Sequence, residues 1–329
     1  QQVEQKETLA IQYTIEMRSM LNDMPVRDEI RDFLFKIWAE VLAIAAVKNG
    51  PQHAETIALK RAAADLVWAA SAKPNRNDRA RVIQDLPQLL QRMRQGMTLL
   101  GLDRAGKRNA FDSAMIADLA QALGEYEAND ELRCALLFAH GEHFTAGLDL
   151  MELTPKLASG GIGYAENSID PWGVNLPRRS KPLVVAVQGM CWTAGIELML
   201  NADMVVAADN FRFAHLEVLR GIPASGGSTV RFPQAAGWLD AMRYLLTGDE
   251  FDAAEALRMR LVNEVAAPEQ VLPRAIELAQ RVARAAPLAI KATLQSAFLA
   301  RDAGDDAALA TLTPTLLALI RSEDVGEGV

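Results

Sequence analysis

Two glutamates lie in apolar stretches of the sequence, where a carboxyl group can take part in proton transfer. Glu197 lies between Ile196 and Leu198, and Glu217 lies within the segment 213–218. Apolar surroundings disfavour the charged carboxylate and so raise its pKa, which suits general acid and base chemistry. The pattern leaves a second interpretation open, in which each glutamate faces solvent or caps a neighbouring helix.

Two glycine-containing turns could supply hydrogen-bond donors to the same reaction. The segment 143–150, HFTAGLDL, follows a predicted strand, and in the segment 189–198 a strand ends at Gly189 and a helix begins near Thr193. A helix N-terminus has free N–H groups and a dipole that favours negative charge. Two such donors that meet at one point form an oxyanion hole. Either turn alone is common in α/β domains, so only the presence of both turns favours an oxyanion hole.

Other polar motifs exclude several kinds of site. His215 is two residues before Glu217, so on an extended segment both side chains face the same way, although a packed histidine is the simpler interpretation. His140 and His143 lack zinc-ligand spacing, so we predict no metal. The glycine-rich stretch 221–228 lacks the lysine of a phosphate loop and is predicted to turn into a helix beside the pocket. Neither a dinucleotide fingerprint nor a nucleophile elbow occurs.

The elements that hold these residues change in kind near residue 96. Only two of the 21 glycines occur in residues 1–96, where apolar residues recur at helical spacing in 34–45, 57–68 and 82–93. The segment 73–75 is predicted as a loop between helices, and His53 as a surface histidine. We predict an all-helical region without catalytic spacing.

The later region alternates between strands and helices, which predicts an α/β fold with buried strands. Asp112 or Ser113 is the predicted N-cap of its first helix. Strands are expected at 97–102, 132–139, 182–187, 204–207 and 211–213, and late helices at 253–259, 271–285 and 287–299.

The composition favours a protein that binds or converts small molecules. The 329 residues include 34 basic and 42 acidic side chains, and the net charge of −8 argues against a nucleic-acid or anionic-membrane partner. Cys134 and Cys191 lie in apolar runs and are too few for a disulfide framework, which favours a reducing compartment. Without a membrane-length apolar run or a secretion signal, we expect a cytoplasmic protein.

The region from about 97 to 329 resembles the crotonase superfamily, and specifically enoyl-CoA hydratases and isomerases. The motifs that carry the resemblance are DRAGKRNA at 103–110, FTAGLDL at 144–150, KP at 181–182 leading to AGIE at 194–197, and FAHLE at 213–217 followed by GIP at 221–223. The resemblance implies an α/β fold with a ββα spiral core at 97–250 and a helical oligomerisation section at 251–329. The all-helical residues 1–96 form a separate domain of unknown function, since 26–100 resembles an uncharacterised bacterial helical protein family.

The resemblance also implies site residues for hydration of a 2-enoyl-CoA. The backbone amides of Leu148 and Ala194 would form the oxyanion hole, and glycine is the more frequent residue where Ala194 stands. Glu197 would help to activate water, and Glu217 would supply the proton to the α-carbon. The other implied substrate contacts are Ala146, Gly147, Asp149, Leu150, Met151 and Gly195, with Lys107 or Arg108 at the CoA phosphates.

Two other functions remain open at this stage. One is an enoyl-CoA isomerase or another crotonase-type reaction of an acyl-CoA. The other is a non-catalytic acyl-CoA-binding or assembly module whose helical region carries the function. The resemblance implies an acyl-CoA partner in fatty acid metabolism, no cofactor apart from the CoA of the substrate, and a homo-trimer or hexamer.

Overall fold

The computed structural model describes residues 2–21, 26, 30–31, 33–70, 96–161 and 163–322. The chain divides into two compact units, Gln1–Gln95 and Gly96–Val329. The division lies one residue from the boundary predicted from glycine usage. The second unit contains both the ββα core and the late helices. The proposed oligomerisation role of 251–329 therefore stays a prediction.

The described part of the first unit is helical. Its α-helices are α1 (Gln2–Leu21), α2 (Ala39–Asn49) and α3 (Ala54–Ala70), and a π-helical turn, Phe33–Trp38, leads into α2. Trp38 is fully buried, and its indole N–H donates to the carbonyl of Leu59 at 3.2 Å. His53 is exposed, as predicted for a surface histidine. The predicted loop 73–75 and the stripe 82–93 lie outside the described residues.

A parallel sheet of five strands forms the centre of the second unit. Its strand order is β1-β2-β3-β5-β8, and each neighbouring pair is parallel. The strands are β1 (Met97–Leu102), β2 (Cys134–Ala139), β3 (Leu183–Val187), β5 (Met204–Ala208) and β8 (Glu264–Ala266). β2 and β3 are buried almost throughout, which explains why their sequences are continuous apolar runs.

Helices cover both faces of this sheet, because successive side chains on a strand point to opposite faces. Leu136 and Val184 pack on one side against Val271 and Ala275 of α10 (Pro268–Ala283). The other side faces α4 (Ser113–Ala128) and α6 (Ala194–Leu200). The Asp112 carboxylate accepts from the Met115 amide at 2.9 Å, which confirms Asp112 as the N-cap of α4.

A second sheet of three short strands lies beside the first. It contains β4 (Met190–Trp192), β6 (Arg212–Ala214) and β7 (Glu250–Asp252), with β6 in the middle. The remaining helices are α5 (Leu150–Ala158), α7 (Ser228–Ala236), α8 (Trp238–Thr247), α9 (Ala253–Arg258), α11 (Pro287–Ala303) and α12 (Asp305–Ile320).

Strand positions are predicted more closely than helix ends. Each predicted strand begins and ends within two residues of the observed one. The helix predicted at 271–285 begins earlier, at Pro268, since proline suits the first helical position. The helix predicted at 287–299 continues to Ala303 and ends at Gly304, whose φ of 91° suits glycine.

Both cysteines are buried and unpaired, as their apolar contexts predict. Burial raises the pKa of the Cys134 thiol to about 12, and it raises the pKa of Cys191 well above the usual value. These thiols therefore act as small apolar groups of the core.

Candidate active site

The two glycine turns of the sequence lie side by side in the structure. A parallel bridge joins Thr145 to Cys191, the Thr145 amide donates to the Met190 carbonyl at 3.0 Å, and the Trp192 amide donates to the Thr145 carbonyl at 3.1 Å. The segment after β2 therefore runs beside the segment that leads into α6. This pairing brings together residues that are almost fifty positions apart in the chain.

Glycine is required where the two turns meet. A Cβ on Gly147 would lie 1.9 Å from the Thr193 hydroxyl oxygen, and the φ of Gly147 is +91°. A Cβ on Gly195 would lie 2.3 Å from the Thr145 methyl carbon. A side chain at either position would separate the turns, so these glycines keep the adjoining amides close together.

The amides predicted to form the oxyanion hole are free to donate. Within the described residues, neither the Leu148 nor the Ala194 N–H donates to a protein acceptor. Leu148 follows the glycine at the contact, and Ala194 is the first residue of α6. Thr193 before it has a strained φ of 50°, which directs the chain into the helix. Two unused donors on touching segments suit an oxygen that gains negative charge.

Glu197 projects from the first turn of α6 into a buried environment. Its side chain is only 4% exposed, and burial raises the pKa of its carboxyl group. Its Oε1 accepts from the Gly226 amide at 2.6 Å and from the Ser228 amide at 3.3 Å. The sequence prediction of a raised pKa at Glu197 is therefore confirmed, and the two amides hold the carboxylate in one orientation.

Glu217 is also buried but is held differently. Its Oε2 lies 3.4 Å from Nδ1 of His215, while its Oε1 has no partner within the described residues. The two side chains do lie close together, but the expectation that an extended segment aligns them is wrong. β6 ends at Ala214 and Glu217 has helical backbone angles, so a turn brings the imidazole and the carboxyl group together.

One small cavity joins these groups. Leu148, Ala194, Glu197 and Glu217 all line it, together with residues of the turn after Glu217. Its volume of about 30 Å³ is roughly that of one water molecule. An acyl chain is larger than this cavity, whose lining includes the exposed side chains of Arg220 and Ile222.

Comparison with known families agrees with this arrangement. Residues 92–328 match the model of the family described as enoyl-CoA hydratase/isomerase. This chain belongs to the enoyl-CoA hydratase/isomerase family. The membership confirms the predicted α/β crotonase fold with helical termini. Residues 1–113 match a different model, the third domain of a protein family of unknown function, DUF1631, which agrees with the predicted separate N-terminal domain family.

Relatives with assigned names are similar over the second unit. A mevalonyl-coenzyme A hydratase from Aspergillus fumigatus is 33% identical over 70% of this chain and 86% of its own length. A 2,3-dehydroadipyl-CoA hydratase from Escherichia coli K12 is 30% identical over 74% of this chain and 94% of its own length.

Solved structures of the family are similar over the same region. A probable enoyl-CoA hydratase/isomerase from Mycobacterium abscessus has 48% sequence identity and a TM-score of 0.69, covering 70% of this chain and 90% of its own. An enoyl-CoA hydratase from Mycobacterium tuberculosis H37Rv has 33% identity and a TM-score of 0.63, covering 70% of this chain and 89% of its own. Among the described residues, no helix combines the length and apolar character that crossing a membrane requires.

The other implied contacts occupy different places around this site. Leu150 lines the cavity, and Ala146, Gly147 and Gly195 belong to the touching turns. Met151 is 93% exposed, and Lys107 and Arg108 are exposed on the turn after β1, outside the cavity lining. Their contacts with CoA stay predictions. The Asp149 carboxylate pairs with Arg104 at 2.9 Å, so it has a partner within the protein.

Two residues that sequence reasoning did not select for a role support the first turn. Asn109 is 1% exposed, and its Nδ2 donates to the carbonyls of His140 and His143 at 2.8 and 2.9 Å. Its φ of 52° is one that asparagine tolerates well. Arg104 links Asp149 with Asp112, the N-cap of α4. Asn109 belongs to the 103–110 motif, but the direction of its side chain is not readable from sequence.

Two further residues support the second turn. The Trp172 indole N–H donates to the Ala194 carbonyl at 2.8 Å. Asp170 accepts from the Trp172, Val174 and Asn175 amides at 2.8–3.0 Å, and so shapes the loop that holds the indole. This loop has no periodic pattern, so the sequence does not indicate that it reaches α6.

Proposed function

We propose that this protein is an enoyl-CoA hydratase that adds water across the 2,3-double bond of a 2-enoyl-CoA. The observation that carries the proposal is the shared cavity, in which two unused amides and two buried carboxyl groups meet. The named relatives support hydration as the reaction, since the mevalonyl and dehydroadipyl proteins are both called hydratases.

In this mechanism the thioester oxygen accepts hydrogen bonds from the amides of Leu148 and Ala194. Attack of water at the β-carbon moves electron density onto that oxygen and forms an enolate. Preorganised donors stabilise this charge, and loss of one such donor typically costs roughly 3 kcal/mol. The neighbouring start of α6 adds a favourable dipole.

The two glutamates divide the proton transfers. Glu197 accepts a proton from water as the oxygen bonds to the β-carbon, and the Gly226 and Ser228 amides keep its carboxylate oriented. Glu217 donates a proton to the α-carbon, which restores the thioester carbonyl. Glu217 lines the same cavity, and its Oε1 has no partner within the described residues, which supports this role. Return of a proton from Glu197 to Glu217 restores both groups, so the net change is one water added and no group lost.

The test follows loss of the conjugated enoyl-thioester absorbance with crotonyl-CoA and with a longer 2-enoyl-CoA. Glu197→Gln and Glu217→Gln are each expected to lower kcat by roughly 10²- to 10⁴-fold, the usual contribution of a general acid or base. Glu269→Gln, at an exposed glutamate on α10, is the matched control and is expected to match the wild type.

Two results would contradict the proposal. Conversion of 3-enoyl-CoA to 2-enoyl-CoA, without formation of a 3-hydroxyacyl product, would indicate an isomerase. Binding of acyl-CoA by a folded protein without turnover of any enoyl-CoA would indicate a binding module.

A further inference from the structure

The orientation of Glu197 depends on the segment 226–228, which leads into the first residue of α7. The amides of Gly226 and Ser228 both donate to its Oε1, and Gly227 between them has a φ of +105°. If this loop shifted, the buried carboxylate would lose its donors, and burial would then favour its neutral form. The residues that fix the loop therefore influence whether Glu197 can act as a base.

Arg231 is the side chain that fixes this loop. It lies one turn into α7, and its Nη1 donates to the Gly226 carbonyl at 3.0 Å. A Cβ on Gly227 would lie 2.3 Å from the same Nη1. Glycine at 227 therefore allows the guanidinium group to reach the loop at all.

The same guanidinium group also holds the Trp172 loop. Its Nη2 donates to the Gly173 carbonyl at 3.2 Å, next to the tryptophan that holds the Ala194 carbonyl. Arg231 thus joins two loops, and both contact α6. One of them orients the start of the helix, and the other orients the carboxylate of Glu197.

A contribution to folding stability does not readily explain why an arginine is present at position 231. It is half-buried, and within the described residues its guanidinium group donates to the Gly226 and Gly173 carbonyls and forms no ion pair with a carboxylate. Burial, and then the guanidinium groups of Arg301 and Arg178, lower the pKa of Arg231, and the negative charges of Glu197 and Asp170 only partly oppose this. A partly buried cation that donates only to carbonyl groups is costly, so a role in the site accounts for it better.

We propose that Arg231 is a positioning residue that clamps the 226–228 loop onto Glu197 and so keeps this glutamate anionic and aimed at the reacting water. This inference rests on the proposed hydratase function. The charged groups that face the pair are Glu217 and His215 around Glu197, and Arg178, Arg301 and Asp170 around Arg231.

The experiment compares Arg231→Gln and Arg231→Lys with Arg274→Gln, a control at an exposed arginine of α10 that pairs with Glu264 and Glu277. We expect kcat of Arg231→Gln on crotonyl-CoA to fall roughly 10- to 100-fold, with KM changed less than about threefold, since small displacements of a catalytic group cost that much. The acidic limb of its pH–rate profile should move upward by about one unit. Arg231→Lys should return the acidic limb of the pH–rate profile close to its wild-type position but should restore kcat less completely. Lysine keeps the positive charge but cannot donate to both carbonyl groups in the geometry of a guanidinium group.

A second readout keeps the inference separate from the activity. NMR of isotope-labelled glutamate carboxyl groups, with Glu197→Gln assigning the resonance, should show Glu197 titrating at higher pH in Arg231→Gln than in wild type. An unchanged titration and kcat in a variant that unfolds like the Arg274→Gln control would overturn the inference. A wild type that hydrates no enoyl-CoA would refute the proposed function, and the NMR titration would still decide the role of Arg231.

Discussion

Replacement of Gly147 by alanine tests whether contact between the two turns produces catalysis. The added Cβ would lie 1.9 Å from the Thr193 Oγ1, whereas real Cβ atoms essentially never approach closer than 3.0 Å. The Trp192 carbonyl oxygen and the Thr193 Cβ lie only 3.2 and 3.3 Å from the same position, so we expect the turns to separate by about 1 Å and to displace the Leu148 amide from its place opposite Ala194. A displacement of that size costs about 10²-fold in rate, and full loss of one oxyanion donor costs about 10²- to 10³-fold.

The assay measures crotonyl-CoA hydration, and Gly106→Ala provides the matched control. Gly106 lies in the turn after β1, and no atom lies within 4 Å of the position of its Cβ. We expect Gly147→Ala to lower kcat at least 100-fold and to lower stability by about 1–3 kcal/mol, because alanine is strained at positive φ. Gly106→Ala should change neither quantity appreciably.

A double variant separates displacement from strain. Thr193→Ala removes the hydroxyl oxygen and leaves only its Cβ, which lies 3.3 Å from the added carbon. We compare the effect of Gly147→Ala in two backgrounds. In the Thr193→Ala background, the fold-decrease in kcat caused by Gly147→Ala should be at least ten times smaller than in the wild type. If Gly147→Ala keeps a kcat within threefold of the control, contact between the turns does not set the oxyanion hole.

Three further predictions concern the groups around the turns. Asn109→Ala leaves two buried carbonyls without donors and should lower the free energy of unfolding by about 2–4 kcal/mol in urea titration. Trp172→Phe removes the donor to the Ala194 carbonyl and should lower kcat about tenfold while changing stability by about 1 kcal/mol, as kinetics and thermal unfolding will show. Burial raises the pKa of Glu197 above its unfolded value, so its ionisation destabilises the fold as pH rises above 4.5. Glu197→Gln should therefore raise Tm at pH 7, and this gain should shrink below pH 4.5; an equal gain at both pH values would contradict the assignment.

The sequence predicts well the parts of the fold that depend on apolar patterns. β2, β3 and β5 are continuous apolar runs because both faces of the sheet are covered there, and this pattern is readable without coordinates. β7 and β8 have only three residues each, and their place depends on partners distant in the chain. No local pattern of that length identifies a strand.

The same difference applies to the site. Glu197, Glu217, Leu148 and Ala194 could be chosen from motifs, and the structure brings them to one cavity. The side chains that hold them could not be chosen, because Trp172 and Arg231 act through single hydrogen bonds to carbonyl groups. Such contacts depend on loop paths and rotamers rather than on periodicity.

The buried thiols make this chain convenient for site-specific labelling. Cys134 and Cys191 are the only cysteines, and both combine burial with a raised pKa, so alkylating reagents will find little thiolate to attack. A single cysteine introduced at Met151, which is 93% exposed beside the first turn, would react selectively without removal of the native pair. A fluorophore attached there would report ligand entry directly, even for acyl thioesters that the protein binds without converting.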